Sequence, residues 1–230
     1  MNDIPFIKGQ VILIDKPLNW TSFQVVNKVR WLIRQRYGLK KLKVGHAGTL
    51  DPLATGLLIL CTGAKTKSIA EYQGQEKKYT GTLRLGATTP SYDLETDIDH
   101  RFKYDHITTE MLHQGAVNFT GELHQKPPIF SAIKKDGKRL YTIAREGKTI
   151  DLPSRPITIE EFAITRIALP DVEFEVRCSK GTYIRSLAHD YGASLDSGAH
   201  LTQLRRTAIG SIRVTDAVSI DDFEQHLHTL

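Results

Sequence analysis

Asp51 is the only acidic residue in Gly45-His46-Ala47-Gly48-Thr49-Leu50-Asp51-Pro52-Leu53-Ala54-Thr55-Gly56. Glycines free the backbone to bend around one carboxylate, and Pro52 disfavours helix at Asp51. The apolar run Leu57-Leu58-Ile59-Leu60-Cys61, bounded by Gly56 and Gly63, predicts a buried strand that anchors the loop. This pattern suits a carboxylate held ready for chemistry; the plainer alternative is an Asp-Pro turn closed by a local side-chain bond. A second motif, Cys178-Ser179-Lys180-Gly181-Thr182-Tyr183-Ile184-Arg185, hands a strand to a helix. An arginine in the first turn of that helix could reach a carboxylate; the alternative is a surface arginine.

Other chemistries lack their patterns. Gly63-Ala64-Lys65-Thr66 resembles the end of a phosphate-binding loop, but Ala64 stands where glycine must precede the lysine, so no nucleotide cofactor site is expected. The nine histidines and two cysteines form no metal-ligand spacing. Ser131 and Ser179 lack a nucleophile-elbow sequence. Cys61 and Cys178 each sit inside an apolar stretch and read as small buried hydrophobes in a reducing compartment.

At 230 residues, with 40% hydrophobic and 25% charged content, the chain can bury a sizeable core. Its formal charge of +5 is unevenly placed. From Lys16 to Leu50 there is no acid, against eight cations: Lys16, Lys28, Arg30, Arg34, Arg36, Lys40, Lys41 and Lys43. Between Lys126 and Arg155 a further eight, among them Lys126, Lys134 and Arg145, face three acids. A polyanionic partner follows, the alternative being two solvated surfaces. The first residues lack a basic stretch leading into a long apolar one, and no segment approaches a membrane span. A cytoplasmic protein without a membrane partner is therefore expected.

The elements that must position these groups are legible from periodicity. Val11 to Ile14 predicts a strand ending at Asp15-Lys16-Pro17, and Thr21 or Ser22 offers a cap for a helix with Val25, Val29, Leu32 and Ile33 on one face, ended by Gly38. Its outer face is cationic. Tyr79, Gly81, Leu83 and Leu85 alternate as a strand, and a short helix is predicted over 108–118. Ile157 to Ile167 forms a long β-prone segment that turns at Leu169-Pro170-Asp171 into an alternating return strand, Val172 to Cys178. A helix should start at Gly181-Thr182, residues Leu201 to Val214 read as a strand pair, and Ser219 caps a last helix. Strands and helices without a βαβ rhythm give an α+β fold around a largely antiparallel sheet. The basic piece 122–155 interrupts that order as a binding excursion.

The loop around Asp51 strongly resembles the catalytic motif of the TruB family, the tRNA pseudouridine(55) synthases. Four further blocks agree in order: Asp15-Lys16-Pro17 with Thr21-Ser22; Lys78-Tyr79 leading to Leu85-Gly86; Gln125-Lys126-Pro127-Pro128 with Ser131-Ala132, Gly137, Tyr141 and Ala144-Arg145-Glu146-Gly147; and Cys178 to Arg185 followed by Leu204-Arg205-Arg206. The resemblance implies a pseudouridine synthase fold, a large mainly antiparallel mixed sheet flanked by helices, over residues 1–230. It also implies isomerisation of uridine to pseudouridine in the T-arm loop of tRNA after the base is swung out, without cofactor or metal. A tRNA-binding or tRNA-folding protein using the same surfaces is the competing reading.

In that family pattern Asp51 is the essential catalyst, attacking the sugar C1′ or abstracting a sugar proton, and Arg185 supports its ionised form. Tyr79 stacks on the uracil, Leu204 packs around it, and Tyr183 supports the base site. His46 takes space vacated in the RNA loop, and Lys16 lies near phosphate or supports the catalytic loop. Residues 122–155 match an RNA-binding thumb whose Lys126, Lys134 and Arg145 suit phosphate contacts. A monomer is expected, and no C-terminal PUA domain. Asn19 stands where the family often has glycine, and asparagine tolerates the positive φ such a turn requires.

Overall fold

The computed structural model describes residues 4–131, 133–135, 138–140, 142 and 152–229. In chain order its elements are α1 (Pro5–Lys8), β1 (Val11–Lys16), α2 (Ser22–Tyr37), β2 (Val44–His46), β3 (Ala54–Thr62), a 3-10 turn (Gly63–Ser68) and α3 (Ile69–Gly74). Then come β4 (Lys77–Leu85), β5 (Ala87–Thr88), β6 (His100–Arg101), α4 (Thr109–Asn118), β7 (Gly121–Gln125), β8 (Lys134–Lys135) and β9 (Lys138–Arg139). The chain closes with β10 (Arg155–Ala168), β11 (Asp171–Cys178), α5 (Ile184–Ser194), β12 (Ala199–Ile209), β13 (Ile212–Arg213), a 3-10 turn (Val214–Asp216) and α6 (Ile220–Thr229). They form two compact units, Met1–Tyr79 with Leu204–Leu230, and Thr80–Gln203.

In the first unit β3 is the central strand. β1 runs antiparallel along one edge, from Val11 opposite Cys61 to Lys16 opposite Gly56. The other edge is shared: β12 pairs in parallel, with Leu204, Arg205 and Arg206 opposite Ala54, Thr55 and Gly56, and β2 pairs antiparallel with residues 60–62. A strand covered on both faces needs a continuous apolar run rather than alternation, and Leu57 to Cys61 are all fully buried. Leu58 and Leu60 meet Val25, Val29 and Ile33 of α2 and Phe223 of α6, whereas Leu57 and Ile59 meet Ala47 and Ile209.

The α2 boundaries follow its caps. Thr21 and Gln24 form a reciprocal capping box, and Gly38 closes the other end with φ 61. Its cationic face is less free than the sequence implied. Lys28 pairs with Glu224 of α6 at 2.8 Å, and Arg36 Nε donates to the Leu227 carbonyl.

In the second unit the hydrogen-bonded order is β12-β4-β11-β10-β7. β10 and β11 form the expected antiparallel pair, joined at residues 169–170. Phe162 of β10 meets the rings of Phe174 and Tyr191 edge-on, and the Tyr191 hydroxyl donates to the Leu112 carbonyl at 2.7 Å, tying α5 to α4. α5 begins at Ile184, three residues after the predicted start, because Gly181 takes φ 81 and the Thr182 hydroxyl turns back to the Ser179 carbonyl. A large, mostly antiparallel mixed sheet flanked by helices is the architecture the sequence predicted. The ordered turns at 63–74 lacked periodicity and went unpredicted.

Gly56 and Gly38 both have positive φ, but a Cβ on Gly56 would lie 2.3 Å from the Arg206 backbone oxygen while one on Gly38 meets nothing within 4 Å. In denaturant melts Gly56→Ala should cost about 3 kcal/mol or more, backbone strain plus overpacking, and Gly38→Ala only about 1–2 kcal/mol. Equal losses would contradict the close approach of β3 and β12.

Candidate active site

β2 and β3 are antiparallel neighbours, so the segment joining them is held at both ends by one sheet. Ala47 N–H donates to the Ile59 carbonyl, and Ala54 N–H donates to the Asp51 carbonyl across a tight turn. Ser22, at the start of α2, clasps Leu50 from both sides: its hydroxyl accepts from Leu50 N–H at 2.8 Å and donates to the Leu50 carbonyl at 3.1 Å. Asn19, with φ 65, donates its N–H to the Pro52 carbonyl, so the asparagine does support the positive-φ turn. Asp51 is half-buried at the crest of this loop.

Two buried cations lie beneath it. Lys16, 0% exposed, donates from Nζ to the carbonyls of Trp20 (2.6 Å), Pro17 (2.9 Å) and Pro52 (3.4 Å). Arg206, 1% exposed, donates from Nε to the Leu57 carbonyl at 2.8 Å and from its two terminal nitrogens to Gly48 (3.2 Å) and Thr49 (3.4 Å). Burial is the main cause that lowers the Lys16 pKa to about 8; the Asp51 charge opposes the shift and the Arg206 charge assists it. Lys16 thus lies buried under the loop.

His46, at the end of β2, is half-buried, and burial pushes its pKa down, partly offset by a hydrogen bond with the Gly48 backbone and assisted by Arg206. Its imidazole is neutral at pH 7. Leu204 lies half-buried beside Ala54, where the loop re-enters the sheet. Tyr79 is buried on β4 of the same unit. Lys16, His46, Asp51 and Leu204 are thus gathered around one loop. The arrangement can present a carboxylate in a field of fixed positive charge and backbone dipoles.

The remaining site residues belong to the second unit. Arg185 is 4% exposed, which rules out a surface arginine. Its terminal nitrogens donate to the carbonyls of Ser91 (3.0 Å) and Phe130 (2.9 Å), and Nε lies 3.7 Å from the buried Asp93 carboxylate. Tyr183 caps α5, and its backbone is clipped by Gln125, whose amide accepts from Tyr183 N–H at 2.8 Å and donates to the Tyr183 carbonyl at 3.0 Å. Ser186 donates to the Lys126 carbonyl at 2.9 Å, while the Lys126 side chain is exposed. Lys134 lies on β8 with its side chain outside the described residues, and Arg145 lies outside them altogether.

Sequence reasoning gave no site role to Arg206, to Ser22 (read only as a possible helix cap), to Gln125 or to Asp93. The first three stand inside motif blocks, so their types were visible but their partners were not. Asp93 reaches Arg185 across 92 residues of sequence, and nothing local signals that pairing.

The description "TruB family pseudouridylate synthase (N terminal domain)" matches residues 34–184, more than half of the chain, and "tRNA pseudouridylate synthase B C-terminal domain" matches residues 185–230. The chain is 61% identical over 223 residues to tRNA pseudouridine synthase B of Flavobacterium johnsoniae, covering 96% of this chain and 97% of that protein. It is 51% identical to the protein of the same name from Phocaeicola vulgatus, covering 96% and 94%. Among solved structures it is similar to a chain of a Cbf5-Nop10-Gar1 complex, with TM-score 0.71 and 26% identity over 99% of this chain and 58% of that one. A chain of an H/ACA RNP bound to a substrate RNA containing 2'-deoxyuridine gives TM-score 0.70 and 25% identity, covering 99% and 57%. This protein spans a little more than half the length of those solved chains. A loop built around one carboxylate, and relatives matched over nearly their whole length, place the chain in the TruB family of pseudouridylate synthases.

Proposed function

We infer that this protein is an enzyme that isomerises uridine to pseudouridine in tRNA, at position 55 of the T-arm loop. The observation that carries the reading is the Asp51 loop, fixed from beneath by Lys16 and Arg206, in a chain that matches tRNA pseudouridine synthases end to end. The bond from uracil N1 to C1′ breaks and one from C5 to C1′ forms; the C5 proton leaves to solvent and N1 gains one. A base in a folded loop hides these atoms, so the nucleotide is swung out before reaction.

Asp51 acts on the sugar as an ionised carboxylate, a form that the neighbouring Lys16 charge favours. Arg185 supports the reaction from its own buried cluster. Tyr79 offers its ring for stacking on the uracil, since an ordinary phenol is a poor base at neutral pH. Leu204 gives the base an apolar contact, Tyr183 contributes to substrate binding, and neutral His46 fills space in the RNA loop without adding charge. Residues 122–155 serve as the thumb, with Lys126, Lys134 and Arg145 for phosphates. The enzyme acts as a monomer in the cytoplasm, a reducing setting that suits the buried thiols of Cys61 and Cys178; among the described residues no helix is long and apolar enough to cross a membrane.

Incubation with an unmodified tRNA transcript tritiated at uracil C5 should release tritium from a single T-arm uridine. Asp51→Asn should reduce release to background while tRNA binding persists. Binding without release by the unaltered protein would mark it instead as a tRNA-binding or tRNA-folding protein.

The rate should also fall as pH rises through about 8, where Lys16 loses its proton. The stability contribution has the opposite sign. The Lys16 pKa in the fold is about 8, below its ordinary 10.5, so the unfolded chain binds more protons between these values. That contribution is complete above 10.5 and is lost as pH falls toward 8. A pH–rate profile run alongside melts should therefore lose rate above pH 8 without a loss of stability from this group. Lys16→Arg, which stays charged, should move the alkaline limb upward; an unmoved limb would exclude Lys16 as its source.

A further inference from the structure

We propose that Tyr92 and His189 form a clasp that positions the Arg185 guanidinium, which makes them positioning residues for the reaction. The inference rests on the reading of Arg185 as a catalytic support residue. Ser91 and Asp93 hold Arg185 from either side of Tyr92, through the Ser91 carbonyl and the Asp93 carboxylate. Tyr92 itself has φ 64, a left-handed conformation that a tyrosine rarely adopts. Such strain persists where the surroundings over-determine it. Here they do: Tyr92 N–H donates to the Thr89 carbonyl, the Thr89 hydroxyl donates to the Asp93 carbonyl at 2.7 Å, and Leu201 N–H donates to the Tyr92 carbonyl.

The left-handed turn sends the Tyr92 ring onto His189, with centroids 3.9 Å apart and planes inclined by 18°. His189 follows Arg185 by four residues on α5, so both project from one face of the helix a single turn apart. The loop therefore grips that helix twice, at the guanidinium and at the imidazole. His189 Nδ1 is buried with no hydrogen-bond partner among the described residues. On the Nδ1 edge it is the stack on Tyr92, not a hydrogen bond, that holds the ring. Burial also holds the imidazole pKa below its ordinary value, so at neutral pH no second positive charge opposes Arg185.

The test uses the full chain, a T-arm-containing tRNA transcript and five variants. Tyr92→Phe keeps the ring and should keep kcat. Tyr92→Gly accepts the positive φ without strain but removes the ring, and His189→Ala removes its partner. Each of these two should lower kcat by on the order of 10²-fold with KM for tRNA and Tm little changed, the loss characteristic of a misplaced group. The double variant should lose no more than either single one. Wild-type kcat in Tyr92→Gly and His189→Ala while Arg185→Ala is inactive overturns the clasp alone, as do losses that multiply or that track a fall in Tm. Full activity in Arg185→Ala overturns the reading of Arg185 and the clasp with it.

Discussion

Two positive charges closed off from water must be satisfied by the protein itself, and beneath the Asp51 loop the backbone does this. Lys16 and Arg206 donate to the carbonyls of Pro17, Trp20, Pro52, Gly48, Thr49 and Leu57. An ion transferred from water to a protein interior without partners costs several kcal/mol. Rotating the loop would strip donors from carbonyls on both sides of Leu50 and Asp51 and incur part of that cost. The loop is therefore rigid for the same reason that the cations are tolerated. Ser22 adds a third fixed point by clasping Leu50.

The two cations are not interchangeable. A guanidinium is a planar fork whose donors point in fixed directions, whereas an ammonium is a compact charge with three rotatable donors. Arg206 uses the fork to join the β3 carbonyl at Leu57 to loop carbonyls at Gly48 and Thr49. Lys16 collects three carbonyls converging on one point, where β1 ends and the loop returns. They also respond differently to burial. Burial brings the lysine to a pKa of about 8, within reach of physiological pH, while an arginine stays charged. One support is permanent and the other titrates.

What the sequence made legible has a common physical form: it is local. The unbroken run Leu57 to Cys61, the Thr21–Gln24 box, Gly38 at the end of α2 and the alternation of Val172 to Cys178 each encode an element within a few residues. The glycine loop encoded its own carboxylate in the same way. The partners were not legible, because they are long-range. Asp93 meets Arg185 through a loop with no periodic signal, and Arg206 reaches Gly48 only because β12 pairs in parallel with β3. The late start of α5 was missed for a local reason: a glycine at positive φ followed by a threonine hydroxyl bonded backward delays the helix by a turn.

Charge counted along the chain overstates charge offered to a polyanion. Of the cations between Lys16 and Lys43, Lys16 serves the interior and Lys28 is neutralised by Glu224. Arg34 and Arg36 keep their charge but each commits Nε to a carbonyl, of Leu39 and Leu227, which fixes where that charge stands. Lys40, Lys41 and Lys43, beyond α2, remain exposed. An electrostatic attraction to RNA from this segment comes from the end of α2 and the residues after it more than from the whole helix. A surface ion pair such as Lys28–Glu224 contributes at most about 1 kcal/mol to stability, yet it cancels a full unit of charge in the field that a phosphate backbone feels. Glu224 of α6 thus limits how much of α2 is available to nucleic acid, a constraint that appears only once the two helices are packed together.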